Sequence, residues 1–216
     1  LVGYWSMDGD DVDWSATTVE VIDRSGLGNN GDAVNMDSSD ASIGKVGQAI
    51  NFDGNSDYIN IPDNNSLDLT SSVSISAWIY ADDIPAVDRS IVAKAVGTSP
   101  NNYDFRTHNG YMRFLFHNGN WNVFATANPV ISAGRWHHVA MAYTSGDPNS
   151  AKIYVDGVEK SSSWIYGSGS NNMVANSGAL KISGGGGLEE FKGKIDEVAV
   201  FNRALSADEI IALYKL

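Results

Sequence analysis

Two Asn-Gly steps set inside a run of alternating residues constrain this chain more than any other feature. Residues 102–127 read Tyr103-Asp104-Phe105-Arg106-Thr107, then Asn109-Gly110, Tyr111 to His117, Asn118-Gly119, and Trp121 to Ala127. Asn-Gly between alternating runs is a strong hairpin signal, because both central residues of the tight turn take positive φ. An antiparallel meander is expected here. Its alternation places Met112, Phe114 and Phe116 toward a core and Tyr111, Arg113, Leu115 and His117 on the opposite face.

The same grammar recurs along the chain. Val73, Ile75, Ala77 and Ile79 alternate against a face that carries Trp78, as though that second face were also covered or used. Lys152 to Glu159 reads as a hairpin turning at Asp156-Gly157, and Ala49 to Ile59 as strand, Gly-containing turn, strand. Residues 161–179, rich in Ser, Gly and Asn, read as an exposed loop or weak edge strand, and Gly184 to Gly187 as a turn. The one helix pattern is terminal. Ser206 with Glu209 forms a capping box, and Ile210, Ile211, Leu213 and Tyr214 supply an apolar stripe. Many short strands with regular turn signals predict an all-β, two-sheet antiparallel β-sandwich with a short C-terminal helix. The 216 residues, 43% of them hydrophobic, suit a single domain over 1–216.

The net charge of −12, from 26 acids against 14 bases, argues against nucleic acid or an anionic membrane surface as partner. Acids in turns suit a hard divalent cation such as calcium. The absence of cysteine excludes disulfides, thiolate metal sites and a cysteine nucleophile. No apolar run reaches membrane-spanning length, so no membrane insertion is expected.

In Gly193 to Phe201, Asp196 falls in phase with Val198 and Val200, which would aim it at an apolar layer. A buried carboxylate must be paired, protonated or metal-bound, because leaving it desolvated and alone costs several kcal/mol. Asp196 is therefore the first metal-ligand candidate, with capping of backbone amides or pairing with Lys194 or Arg203 as the alternative.

Several segments resemble one family. Gly193-Lys194-Ile195-Asp196-Glu197-Val198-Ala199-Val200-Phe201-Asn202-Arg203-Ala204-Leu205-Ser206 is similar to the C-terminal signature of laminin-G-like domains of the concanavalin A-like lectin/glucanase superfamily. Tyr4-Trp5-Ser6-Met7-Asp8, Asp23 to Gly31, Phe52-Asp53-Gly54, Trp136-His137-His138-Val139-Ala140 and Tyr154-Val155-Asp156-Gly157 resemble its other motifs, in order. The resemblance implies a concanavalin A-like jelly roll. It also implies a structural calcium held by Asp196, with Asp8 or Asp23 as second carboxylate and a carbonyl from the turn at Gly54.

Three functions follow. Sugar binding pairs an aromatic platform with planar polar groups, and Tyr111, Arg113, His117 and Trp121 offer both, with Trp164 and Tyr166 reaching in from a loop. Arg106 and Arg113 would attract an anionic polysaccharide, but the net charge favours a neutral glycan. A purely structural or protein-docking module is the second reading. Catalysis is the third. Hydrolases of this superfamily carry Glu-x-Asp-x-x-Glu, and neither Glu189-Glu190, Asp196-Glu197 nor Glu20 to Asp23 has that spacing. Lyase chemistry would need a Tyr/His/Arg/Gln cluster, and Gln48 lies far from the meander. The two histidines of Trp136-His137-His138 alternate faces and cannot share one metal from a straight strand, so one is expected in the sheet and one in solvent. The expectation is a non-catalytic glycan-binding or adhesive module, excised from a larger extracellular or cell-surface protein and adjoining neighbouring domains.

Overall fold

The computed structural model describes residues 1–15, 19–97, 101–185 and 190–216. Glu189 and the Gly186-Gly187 end of the expected glycine turn lie outside them. The chain opens with β1 (Gly3–Trp5), β2 (Val12–Asp13), β3 (Val19–Val21), β4 (Gly31–Val34), β5 (Ala41–Ile43), β6 (Gln48–Asp53) and β7 (Tyr58–Ile61). Next come β8 (Ser72–Ala81), β9 (Asp88–Ala95), β10 (Asn101–His108), β11 (Tyr111–His117), β12 (Trp121–Thr126) and β13 (Trp136–Thr144). It closes with β14 (Lys152–Val155), β15 (Val158–Glu159), β16 (Ser162–Tyr166), β17 (Leu180–Ile182), β18 (Lys192–Phe201) and α1 (Ala207–Tyr214).

The strands form two antiparallel sheets. One runs β15-β14-β13-β8-β18-β6-β5 with β1 on β18, and the other runs β16-β12-β11-β10-β9-β17-β7-β4-β3-β2. The meander is β10-β11-β12, with Phe105 opposite Phe114 and Phe114 opposite Phe124; the second turn is three residues long, Asn118 to Asn120, with His117 opposite Trp121. Their shared inner face meets Tyr143 of β13 across the sandwich, with ring centroids 5.4 Å from Phe114 and 5.6 Å from Phe116. Val73, Ile75, Ala77 and Ile79 join that core, while Trp78 lies on the outer face.

The outer face at Trp78 is covered, as the sequence suggested, by α1. Ile210 is fully buried there against Ala140, Ala142, Tyr154 and Leu205, and the Tyr214 ring stands 5.6 Å from Trp78. The capping box is formed, because Ser206 Oγ accepts from Glu209 N–H while the Glu209 carboxylate accepts from Ser206 N–H. Ser206→Ala is expected to cost about 1 kcal/mol, read as a lower denaturant midpoint at unchanged slope.

The structure corrects the phase of β18. Asp196 pairs with Trp78 and Ala199 with Ser76, so Glu197 and Val198 together oppose Ala77 in a β-bulge, with Glu197 at φ +53°. The extra residue keeps Ile195, Val198 and Val200 in the core and turns Asp196 and Glu197 to the outer face. Asp196 is still fully buried, because the β5–β6 turn closes over it. Residues 162–166 are a paired edge strand, not a free loop.

Candidate functional site

The outer face of the meander sheet brings together most of the proposed ligand residues. Cross-strand pairing puts Arg106 beside Arg113, Tyr111 beside His108, and His117 beside Trp121. Five of the six predicted positions, Arg106, Tyr111, Arg113, His117 and Trp121, thus share one face. Trp121 is 41% exposed and meets the His117 ring edge-on at 5.0 Å. Beside them a cavity of about 360 Å³ is lined by Tyr111, Arg113, Ala125, Thr126, Ser163 and Ile165.

Trp164 is the exception. It faces inward, its ring 5.1 Å from Phe124 and 5.6 Å from Tyr143, with Nε1 donating to Pro148 O. Pairing with Phe124, a core residue, sets that side. Trp164 caps the core, so the ligand role assigned to it is withdrawn. Tyr166, opposite Val123 and 67% exposed, stands on the outer face.

Two carboxylates order the cations on this face. Asp88 accepts from Arg106 Nη1 and Arg113 Nη1, both at 3.1 Å, and partners His108 Nδ1 at 3.0 Å. Asp104, wholly buried, is held by both Nε and Nη2 of Arg106 and by Ser90 Oγ and Asn101 Nδ2. The four charges cancel in pairs, leaving a rigid polar floor with Tyr111 beside it. Arg113 Nε is buried without a partner. Asp88, Asp104 and His108 were not foreseen. The signal was the alternation of β10 itself, which puts Asp104, Arg106 and His108 on one face.

The calcium candidates divide. The β5–β6 turn, Gly44 to Gly47, is gripped from both sides. Asp196 Oδ2 accepts from Lys45 N–H at 2.8 Å and Val46 N–H at 3.0 Å, and Asp8 Oδ1 accepts from Gln48 N–H at 2.7 Å. Glycine is required at Gly47, where φ is +52° and a Cβ would stand 2.0 Å from Asp8 Oδ1. A Cβ on Gly44 would likewise press on Asp196 Oδ2 at 2.7 Å. Asp196 Oδ1 is buried with no partner. Burial pushes the Asp196 carboxyl up to about 7, reinforced by the charges of Glu197 and Asp8 and opposed by the two N–H donors. The Gly44-x-x-Gly47 spacing was the missed signal.

Asp23 and Gly54 have other tasks. Asp23 accepts four hydrogen bonds, from Tyr4 N–H, Ser25 N–H, Ser25 Oγ and Asn29 N–H, which fill its oxygens. The Gly54 carbonyl accepts from Arg89 Nη1 at 2.7 Å, and a guanidinium there repels a divalent cation. Both are corrected as calcium ligands on this physical ground. Among the described residues, no three acid or histidine side chains converge as a metal cluster. Asp196 and Asp8 therefore fit an ion only with backbone carbonyls and water completing its shell.

Both histidines of Trp136-His137-His138 are buried, against the expectation of one in solvent. His137 Nδ1 lies 3.0 Å from Asp156 and Nε2 lies 3.1 Å from Ser132 Oγ, the spacing of a nucleophile–base–acid relay. Arg135 Nε donates to the same Nε2 at 3.0 Å, so a cation already holds the lone pair that a general base would need. No helix among the described residues is long and apolar enough to cross a membrane.

The laminin G model of the concanavalin A-like lectin/glucanases superfamily matches residues 53–211, well over half the chain. Among proteins with curated descriptions, none matches in sequence. Domain 4 of an extracellular arabinanase from Geobacillus stearothermophilus, solved in complex with arabinotriose, superposes with a TM-score of 0.73 at 21% identity, covering 99% of this chain and 98% of that one. The binding domain of Paraclostridial Mosquitocidal Protein 1 gives 0.73 at 16% identity, with 99% of this chain and 51% of that one covered. The botulinum neurotoxin serotype D ligand binding domain in complex with N-acetylneuraminic acid gives 0.65 at 15% identity, over 99% of this chain and 50% of that one. At such identities these likenesses establish the shared jelly-roll fold, which fits the two antiparallel sheets described above. The chain belongs to the concanavalin A-like lectin/glucanases superfamily.

Proposed function

We propose that this chain is a non-catalytic module of an extracellular protein that binds a neutral glycan on the outer face of the meander sheet. The observation that carries this reading is that Arg106, Tyr111, Arg113, His117 and Trp121 share one outer face, where Tyr111 and Arg113 line a cavity, over a floor whose charges already cancel. Aromatic rings offer a face to sugar C–H groups, and planar guanidinium and imidazole groups fix hydroxyls. The internal pairing of both arginines and the net charge of −12 favour a neutral over an anionic chain. The solved arabinanase domain and toxin domain with bound sugars lend the class support by analogy of fold.

The same pairing weighs against catalysis. Glycoside hydrolysis needs one carboxyl raised and free to donate a proton, whereas Asp88 and Asp104 are each bound by arginine. A calcium ion held by Asp196 and Asp8 across the β5–β6 turn belongs to this reading as a structural ion, remote from the sugar face on the other sheet. When bound it would supply positive charge to the orphaned Asp196 oxygen.

A glycan array with calcium present, repeated after chelation, tests the reading. Binding to uncharged oligosaccharides is expected. Tyr111→Ala should weaken it at least about tenfold with melting unchanged, because Tyr111 is half-buried on the outer face and absent from the core. A blank array from folded protein would overturn the proposal in favour of a structural or docking module for neighbouring domains.

A further inference from the structure

A second cavity, of about 240 Å³, lies on the outer face of the opposite sheet, beside α1. Its walls include Tyr4, Trp78, His138, Phe201 and Leu213, and Glu197 is the acidic group among them. The bulge places Glu197 there, at φ +53°, a conformation a non-glycine residue adopts only when its surroundings enforce it. Tyr4 Oη donates to Glu197 Oε2 at 2.6 Å, and Oε1 accepts no hydrogen bond among the described residues. His138 is 1% exposed, has Ser76 on Nε2 at 2.9 Å and has no partner on Nδ1. Burial holds its pKa down to about 4, so the ring is neutral and presents an aromatic surface at ordinary pH.

We propose that this cavity is a binding site for a small alkylammonium ion, its charge against Glu197 and its alkyl groups against the rings of Trp78 and Tyr4. The chemistry is that of an aromatic cage. Ring faces attract a cation through their quadrupole, a desolvated carboxylate adds a counter-charge, and apolar walls accept methyl or methylene groups. Trp78 already draws one cation to its face, since Lys45 Nζ stands over the ring, 4.7 Å from its centroid. An anion is disfavoured by Glu197 itself, and an uncharged apolar body would desolvate that carboxylate without supplying a counter-charge, leaving Tyr4 Oη as its donor. This site is separate from the glycan face and does not depend on it.

The probe is choline, with 3,3-dimethylbutanol as its uncharged isostere, followed by the Trp78 indole N–H resonance in calcium-containing buffer and assigned with Trp78→Phe. Choline is expected to shift that resonance saturably, the isostere to bind at least roughly tenfold more weakly, and Glu197→Gln to weaken choline by a similar factor. Glu197→Gln keeps an acceptor for Tyr4 and should leave glycan binding unchanged. Ala199→Leu, which grows into the cavity from β18, should abolish the choline response, and it carries the decision if the Gln variant does not fold. No choline response, an equal response to the isostere, or an unchanged affinity in the folded Gln variant would each overturn the assignment.

Discussion

Asp104→Ala is expected to lower the unfolding free energy by about 3–5 kcal/mol, the cost of stranding a buried charge whose partner has been removed. Asp104 is fully buried and the Arg106 side chain is 7% exposed. Both guanidinium contacts to Asp104 would be lost, and Ser90 Oγ and Asn101 Nδ2 would lose their acceptor as well. Asp88 cannot compensate, since it is shared with Arg113 and His108. Asp104→Asn should cost less, because the amide oxygen still accepts from Arg106. Replacing both partners, as in Asp104→Leu with Arg106→Met, should recover much of the loss, since an apolar pair has no desolvated charge to satisfy. Urea unfolding of the four proteins decides the matter. A single Asp104→Ala variant within about 1 kcal/mol of the parent would show that water or a rearranged neighbour screens Arg106, and the rigid floor assigned to the sugar face would lose its basis.

The second large effect concerns Asp196 and carries a sign that calcium should reverse. In metal-free protein its carboxyl is raised from 3.8 to about 7, chiefly by burial. Between those values the folded chain holds a proton that the unfolded chain has released. The folded state therefore binds more protons, and stability falls as pH rises from about 4 through about 7. The full loss has an upper bound on the order of 4 kcal/mol. Glu197, also raised by burial, adds in the same direction. An ion at Asp196 and Asp8 would favour the ionised form, and binding to the folded state alone adds roughly 2.7 kcal/mol at about a hundred times its Kd. Denaturant midpoints at pH 5 and pH 8, with chelator and with calcium, are the measurement. With chelator the protein should be weaker at pH 8, and calcium should restore it there. Asp196→Asn should remove most of the slope and the calcium response together. A calcium response that survives in Asp196→Asn would move the ion elsewhere, and its absence in the parent would remove the ion from the proposal.

Local chemistry made much of the fold legible. Asn109-Gly110 and Asp156-Gly157 form the turns they announced, with positive φ at all four residues. The alternation in β8 and β11 sorted the inner from the outer face of the sheet residue by residue, and Ser206 with Glu209 marked the helix start. Each of these signals acts over a few neighbouring residues, where backbone sterics and side-chain period leave little choice. The outward face of the meander was readable for the same reason, since a strand of known phase carries its outward residues with it. Trp164 failed because its surrounding Ser and Gly residues mimic an exposed loop, while the ring is claimed by Phe116, Phe124 and Tyr143 from other strands.

What the sequence by itself determined was therefore local, namely the strands, their turns, their inner faces and the all-β class. Tertiary structure decided which distant groups meet. A one-residue bulge at Glu197–Val198 reversed the side on which Asp196 lies, and no period count foresees an inserted residue whose effect is set by the partner strand. The turn at Gly44–Gly47 meets Asp8 and Asp196 from opposite ends of the chain, and Asp88 finds Arg106 and Arg113 across two strands. Those contacts are bonds between residues far apart in sequence, and register and packing choose them after the strands have formed.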